Sequence, residues 1–261
     1  MANLKEIRLR ISSVKSTQQV TRAMKMVSAA KLRRAQDRII SLRPYAKKLK
    51  EIMADITGNI DTSSISSPFV AEREPNKVLA IVVTSNRGLC GAFNSGIAKH
   101  AETVMAEQFG AQKEADNLKV LCIGKKGYEY FNRRGYTLIG ENHDVFADLS
   151  FETVADVANI ALDGFENGEW DRVELIFNEF KNVLVQERIN EQYLPVEPQQ
   201  AAEGEEGHGN ADYIFEPDQS SILDDLIPKS LRLSLYRAVL ESNAGEQGAR
   251  MTAMDSATEN A

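Results

Sequence analysis

The sequence predicts an α/β fold in which an antiparallel coiled coil of the N- and C-terminal helices carries an inserted α/β domain. Three observations lead to this fold class. Heptad-spaced apolar residues fill the first 58 residues, helical periodicity returns in the last 43, and strands alternate with helices in between. The predicted boundaries are 1–58 for the first helix, 59–76 for a linker, 77–218 for the α/β domain and 219–261 for the last helix.

The first helix follows from apolar and small residues placed alternately three and four positions apart, from Leu4 to Ile56. A repeat of 3.5 residues keeps one stripe of a helix against a partner helix over many turns. At 1.5 Å per residue this helix would be about 80 Å long. Pro44 removes one backbone donor, so we expect a kink or short break near Arg43, and Gly58 is expected to end the helix.

The middle of the apolar seam is polar, while both of its flanks are apolar. The polar positions are Gln18, Thr21, Lys25 and Ser28. Polar residues at such positions weaken a coiled coil and specify its register. The sequence therefore predicts that this stretch aligns the two helices, or that the helices are paired less tightly there.

Charge is distributed unevenly along the chain, whose net charge is −7 at pH 7. Residues 1–57 hold 14 Lys and Arg against four Asp and Glu, a net charge of +10, which leaves the remainder at −17. A long basic helix on an acidic body predicts a partner with acidic surfaces. Nucleic acid is the alternative partner, but the basic residues share their helix with an apolar seam, and Tyr45 is its only aromatic residue.

The α/β domain is predicted from apolar, strand-like runs separated by helical segments. The predicted strands are Lys77–Thr84, Asn117–Gly124, Tyr136–Gly140, Arg172–Phe180 and Val183–Pro195. The predicted helices are Asn94–Phe109, a short one from Gly124 to Tyr130, and Phe151–Phe165. This alternation indicates a mostly parallel sheet covered on both faces, and the last two strands are expected to form an antiparallel hairpin at its edge.

The end of the chain returns to helix after an acidic segment. Residues 197–218 contain no Lys or Arg, and we expect a mobile loop over 197–211 and a short strand over Tyr213–Pro217. Pro228 is expected to lie in the first turns of the last helix and to mark its start. In the antiparallel pairing, Met254 is expected to pack against the early seam from Leu4 to Ile11.

No catalytic, cofactor-binding or metal-binding residues are predicted. The loop Thr84–Asn94 follows a strand and enters a helix, as a dinucleotide-binding loop does, but its glycines lack the GxGxxG spacing. Cys90 and Cys122 are expected to be buried free thiols. Two other classes remain open: a coiled-coil scaffold or nucleic-acid-associated protein with an inert domain, and a nucleotide-dependent enzyme that binds through 77–195.

Five segments, in this order and spanning essentially the whole chain, resemble the gamma subunit of F-type ATP synthase: KEIRLRISSVKSTQQVTRAMKMVSAAKLRRAQ, RPYA, TSNRGLCGAFN, FEPD and EQGARMTAMDSATENA. The resemblance implies a non-catalytic rotor shaft without a cofactor. Its terminal helices would stand inside a hexamer of alpha and beta subunits, and a Rossmann-like insert would form a foot on the epsilon subunit and the c-ring. The resemblance also implies that the chain binds no nucleic acid and does not insert into the membrane. It would be a peripheral protein at the cytoplasmic face of the bacterial inner membrane.

Matching to the family's motifs implies two groups of functional residues. The residues expected to make the coupling contacts with other subunits are Met24, Lys25, Lys31, Arg33, Arg34, Arg250, Met251 and Met254. The residues expected to help form the foot are Arg87, Gly88, Cys90, Gly91 and Asn94. Family members continue the last helix beyond the position of Ala261, which leaves open whether the sequence is truncated or the shaft is short.

Overall fold

A computed structural model describes residues 4–58, 67–196 and 219–261. The helices are α1 (Leu4–Gly58), α2 (Phe93–Glu114), α3 (Lys125–Asn132), α4 (Phe151–Glu166) and α5 (Gln219–Glu259). The strands are β1 (Val78–Val83), β2 (Leu118–Ile123), β3 (Thr137–Leu138), β4 (Arg172–Phe180) and β5 (Gln186–Leu194). Short 3-10 turns occupy Pro68–Val70 and Asp144–Phe146.

The five strands form one sheet in the order β3-β2-β1-β4-β5. The pairs β1–β2, β1–β4 and β2–β3 are parallel, and β4–β5 is antiparallel. The predicted parallel-rich sheet with an antiparallel hairpin at its edge is therefore confirmed. The expected third strand is reduced to two residues.

Apolar side chains cover both faces of the sheet, so its central strand, β1, is buried along its whole length. Leu79, Ile81 and Val83 face a core that includes residues of α4 and α5. Ala80 and Val82 face the opposite core, which is built on α2. This alternation follows from the two-residue period of a strand.

The two long helices pair antiparallel, as predicted. Leu32, Ala35 and Ile39 of α1 are buried in one cluster with Leu240 and Ala244 of α5. Closer to the start of α1, its residues contact the end of α5, so positions along the two helices run in opposite directions. The pairing joins the two ends of the chain around the α/β insert and gives the predicted coiled-coil architecture.

The structure corrects the expected start of the last helix and excludes one of the two expected effects of Pro44. Helix α5 begins at Gln219, nine residues before Pro228, and Pro228 lies inside it. Leu223, Ile227 and Leu231 are buried against the sheet, and this packing holds the first turns helical despite the missing backbone donor. Helix α1 likewise continues through Pro44, so it has no break there, and the alternative of a kink at Arg43–Pro44 stays a prediction.

The remaining expectations concern the end of α2, the segments between the main elements and membrane-spanning helices. The helix expected to end at Phe109 continues to Glu114, with a non-helical backbone conformation at Phe109. The strand expected over 213–217 and the loop over 197–211 lie outside the described residues, as does the linker before residue 67. Among residues 4–58, 67–196 and 219–261, no helix has both the length and the hydropathy of a membrane span.

Candidate coupling site between the helical pair and the insert

A polar section of the helical pair lies where the sequence has its polar seam. Nε2 of Gln18 donates a hydrogen bond to the carbonyl of Thr258 at 3.2 Å, and the hydroxyls of Thr21 and Thr258 are 2.7 Å apart. Lys25 forms an ion pair with Asp255. Three of the four polar seam positions thus contact polar groups on α5, which fixes the axial alignment of the two helices.

These contacts overturn the expectation for Met254. Its neighbour Asp255 contacts Lys25, and Thr258 contacts Gln18 and Thr21, so Met254 lies level with the polar seam rather than with Leu4–Ile11. The antiparallel direction was predicted correctly, but the register was shifted by about four to six turns of α1. Heptad spacing alone is nearly the same after a shift by seven residues, so it cannot choose between registers.

The predicted coupling residues of α1 differ in exposure. Lys31, Arg33 and Arg34 are exposed, and no contact among the described residues neutralises any of the three. Met24 and Lys25 are half-buried at the edge of the helical pair. The three exposed cations therefore form a positive surface that α5 leaves uncovered, which we call the basic patch.

Arg250 connects α5 to the loop that follows β1. Its guanidinium donates hydrogen bonds to the carbonyl of Gly88 and, at 3.4 Å, to that of Arg87, and it pairs with the carboxylate of Glu246. Arg250 and Glu246 are each 8% exposed. Since a buried ion pair requires its remaining donors to be satisfied, the two loop carbonyls complete the site. Helix and loop are thereby joined at what we call the arginine junction.

The loop at the arginine junction is held rigidly by its own side chains. Asn94 Oδ1 accepts a hydrogen bond from the backbone of Ser85 at 2.9 Å, and the Ser85 hydroxyl donates to the carbonyl of Arg87 at 2.8 Å. Leu89 and Gly91 have φ angles of 61° and 58°. These left-handed positions turn the chain so that the carbonyls of Arg87 and Gly88 point at α5.

Both thiols are buried. Burial raises the pKa of Cys90, while the charge of Arg250 opposes that rise, and burial raises the pKa of Cys122 to about 12. Because the thiolate is the reactive form of cysteine, neither residue is poised for nucleophilic or redox chemistry near neutral pH. The described residues also contain no group of three His, Cys, Asp or Glu arranged to hold a metal ion.

The predicted site residues therefore separate into four places. Lys25 and Met254 lie at the polar section of the pair, while Lys31, Arg33 and Arg34 form the basic patch. Arg250 contacts Arg87 and Gly88 at the arginine junction. The same loop contains Cys90, Gly91 and Asn94. Met251 packs against the apolar part of the helical pair. Sequence reasoning missed Glu246, Asp255 and Thr258, although the four-residue spacing of Glu246 and Arg250 was a usable signal.

Comparison with known proteins gives consistent results. A family model described as ATP synthase matches residues 3–261. The chain is 50% identical to the ATP synthase gamma chain of Chlorobium chlorochromatii and 48% identical to that of Cytophaga hutchinsonii, covering all of this chain and 88% of each relative.

Two solved structures have a similar fold. One is the cryo-EM structure of the central stalk and c-ring of the Tetrahymena thermophila mitochondrial ATP synthase, with a TM-score of 0.63, 23% identity, and coverage of 91% of this chain and 99% of that one. The other is the rotor of the Euglena gracilis mitochondrial ATP synthase, with a TM-score of 0.58, 18% identity, and coverage of 97% and 90%. At these identities the likeness concerns the fold.

Proposed function

The chain belongs to the ATP synthase gamma chain family, and we propose that it is the central rotor shaft of an F-type ATP synthase. In this role it couples proton-driven rotation of the membrane ring to conformational changes in the catalytic beta subunits, for ATP synthesis or hydrolysis. The chain is not the catalytic subunit, since catalysis in this complex lies in the beta subunits.

The observation that carries the proposal is the combination of a paired helical rod with a buried junction to the insert. Torque applied to the insert must reach the rod without slipping. The arginine junction is a buried contact between the two, and Tyr193 adds a second one, since its hydroxyl donates to the carbonyl of Leu231 in α5 at 2.8 Å. Two buried contacts on separate strands and loops resist relative rotation of rod and insert.

The partners follow from this division of the molecule. The helical pair fits inside the hexamer of alpha and beta subunits, and the insert forms the foot that meets the epsilon subunit and the c-ring. Neither nucleic acid nor direct insertion into the membrane is part of this function. The complex is associated with the membrane, and we place this chain as a peripheral component at the cytoplasmic face of the bacterial inner membrane.

The residues proposed to act in coupling are those at the helical pair and the arginine junction. The basic patch (Lys31, Arg33 and Arg34) would meet acidic groups of the surrounding subunits, because unpaired cations on a rod favour partners of opposite charge. Met24, Lys25, Met251 and Met254 would keep the pair in register while it turns. Arg250 would hold the loop with Arg87 and Gly88, and Cys90, Gly91 and Asn94 would shape the foot.

Co-purification with alpha and beta subunits, followed by an ATPase assay with and without this chain, tests the proposal. We expect a stable complex, with ATPase activity that depends on the chain. Changing Lys31, Arg33 and Arg34 together to Glu should weaken ATP-driven proton pumping in the full complex while the insert stays folded, since opposite charges are felt within a Debye length of about 8–10 Å.

A charge-preserving triple variant is the control for this experiment. Lys31→Arg, Arg33→Lys and Arg34→Lys keep the positive charge of the basic patch but change the shape of each side chain. We expect this variant to retain most of the pumping. Unchanged pumping in the triple Glu variant would contradict an acidic partner at the basic patch, and failure to bind alpha and beta subunits would contradict the rotor role.

A further inference from the structure

The loop before α4 contacts the helical pair at a place separate from the arginine junction. The side chain of Leu149 is partly buried and packs against two clusters: the core that includes α4 and α5, and the apolar cluster of the helical pair. Tyr236 of α5 packs against the same two clusters, and its ring meets that of Phe151 edge to face, with 5.6 Å between the centroids. Leu149 therefore bridges the insert and the rod.

The same residue attaches the loop to α1. Nη1 of Arg38 donates a hydrogen bond to the carbonyl of Leu149 at 3.1 Å, and Leu42, one turn further along α1, packs against the same apolar cluster. The arginine junction and the Tyr193 hydroxyl both attach the insert to α5. The interactions of Leu149 with Arg38 and with the apolar cluster, which we call the Leu149 contact, thus hold the other helix of the pair.

The loop that carries Leu149 is fixed by the start of α4. Ser150 is the N-cap residue of this helix, and its Oγ accepts a hydrogen bond from the backbone N–H of Thr153 at 3.2 Å. The backbone N–H of Ser150 donates to the carbonyl of Asp148 at 2.9 Å. Because an N-cap holds the chain in one conformation where it enters a helix, the insert sets the position of Leu149.

Open space lies beside the Leu149 contact. A groove of about 430 Å³ separates the loop from the helical pair, and it is lined by Arg38, Ser41 and Leu42 of α1 and by Asp148, Ser150 and Tyr236 opposite them. Little packing is therefore available to replace the contact if it is lost. Packed helices can slide and turn against each other by small shear motions, and a contact from a third element opposes such motion.

We propose that Leu149 is a positioning residue for coupling, which holds α1 at a fixed angle to the insert so that both helices of the rod turn with it. This inference rests on the proposed rotor function. Lys31 and Arg34 of the basic patch lie seven and four residues before Arg38, on the same face of α1. The Leu149 contact therefore also sets the direction in which the basic patch points.

Spin-label distances in the full chain test the attachment itself. Labels at Asp37→Cys in α1 and Gln108→Cys in α2 report the position of α1 relative to the insert, and Arg237→Cys in place of the first label reports that of α5. These positions are exposed and the native thiols are buried, so labelling is specific. Leu149→Ala combined with Arg38→Ala should broaden the α1 distance distribution and leave the α5 distribution unchanged. Two unchanged distributions, or equal broadening of both, would overturn the proposal.

ATP-driven proton pumping per ATP hydrolysed by the full complex tests the role in coupling. The double variant Leu149→Ala with Arg38→Ala should lower this ratio, because hydrolysis continues while the rod follows the insert less closely. Leu149→Met with Arg38→Lys keeps an apolar side chain of similar volume and a hydrogen-bond donor, so it should retain the ratio of the parent. If the double alanine variant does not assemble, Arg38→Ala alone decides, since it changes an exposed side chain.

A matched double variant separates this role from a general loss of stability. Leu138→Ala removes a partly buried leucine of β3, and Arg133→Ala removes an exposed arginine whose Nε donates to the carbonyl of Glu129 at 2.8 Å. Together they should leave the ratio unchanged. The proposal is overturned if the variant at the Leu149 contact pumps like the parent, or if the matched variant loses as much. A parent complex that hydrolyses ATP without pumping would instead contradict the rotor function, and the label distances would still decide whether Leu149 holds α1.

Discussion

Gly164 lies where helix α4 crosses the buried indole of Trp170. A Cβ at this glycine would come within 1.9 Å of Cζ2 of the ring, closer than any real contact. The indole cannot easily move away, since it is 2% exposed and its Nε1 donates to the carbonyl of Ala161 at 2.8 Å. The absence of a side chain at Gly164 therefore allows α4 to pack directly against the Trp170 indole.

We expect Gly164→Ala to lower the free energy of unfolding by about 1–3 kcal/mol, the usual cost of overpacking a core. Gly110→Ala in α2 is the matched control, because nothing lies within 4 Å of its added methyl group and alanine favours helix by about 1 kcal/mol over glycine. Urea unfolding of both variants measures the difference. Equal stability of Gly164→Ala and the parent would contradict the close packing.

Glu241 of α5 is 8% exposed, and burial raises the pKa of its carboxyl group. A raised pKa in the folded state means that deprotonation costs stability: the cost is absent below the ordinary pKa of about 4.3 and complete above the folded value. Its Oε2 accepts a hydrogen bond from the backbone of Phe180 at 3.3 Å, which the amide oxygen of glutamine can also accept.

We therefore expect Glu241→Gln to be more stable than the parent at pH 7, with the difference shrinking as the pH falls towards 4. Urea unfolding of both proteins across this range provides the measurement. A stability difference that does not change with pH would mean that the ionisation of Glu241 does not carry the effect.

At the scale of elements, most helices and strands could be predicted from periodicity and from glycine and proline positions. β4 begins and ends where its apolar run predicts, and β1 reads as a buried strand because both of its faces are covered. Pro228 misled the prediction for α5, because its local effect on the helix is outweighed by the burial of Leu223, Ile227 and Leu231. Such tertiary packing leaves no signal within a short window of sequence.

The candidate site was predictable in part. The resemblance identifies Arg250, but its acceptor on Gly88 is 162 residues away in the chain, and nothing in the local pattern pairs them. The register of the helical pair likewise depends on which polar residues of α5 meet the polar seam. Asp255 and Thr258 were available in the sequence as counterparts for Lys25 and Thr21, and matching polar to polar positions would have corrected the register.

At the arginine junction we expect strong coupling between Arg250 and Glu246. Arg250→Ala should lower the free energy of unfolding by about 3–5 kcal/mol, because it leaves the buried Glu246 carboxylate unpaired. Adding Glu246→Ala should recover part of that loss, so the double variant is less destabilised than the sum of the single ones. Additive effects in a urea-unfolding cycle would mean that the pair does not act as a unit.

At the scale of the whole molecule, the axial alignment of α1 and α5 is the geometry on which the shaft depends. The hydroxyls of Thr21 and Thr258 are 2.7 Å apart. We expect the pair Thr21→Cys and Thr258→Cys to form a disulfide on mild oxidation, since both native thiols are buried and do not compete. The pair Ile11→Cys and Met254→Cys tests the register predicted from the sequence, and it should stay reduced. A disulfide in this second pair and none in the first would contradict the observed alignment of α1 and α5.

The whole chain combines a basic rod, an acidic insert and buried junctions between them, which is the arrangement that a rotating shaft requires. A rod that only scaffolds would not need its insert fixed by a buried ion pair. Fixed attachment matters when the insert is driven and the rod must follow. The proposed function is therefore mechanical, and it requires this chain to turn relative to the alpha and beta subunits.

Direct observation of rotation tests this claim. A bead attached through Arg133→Cys, an exposed position on the insert, reports the motion of this chain in a complex whose alpha and beta subunits are fixed to a surface. The native thiols are buried, so labelling is confined to the introduced cysteine. We expect rotation in one direction that depends on ATP. A bead that stays still while the assembled complex hydrolyses ATP would contradict the rotor function.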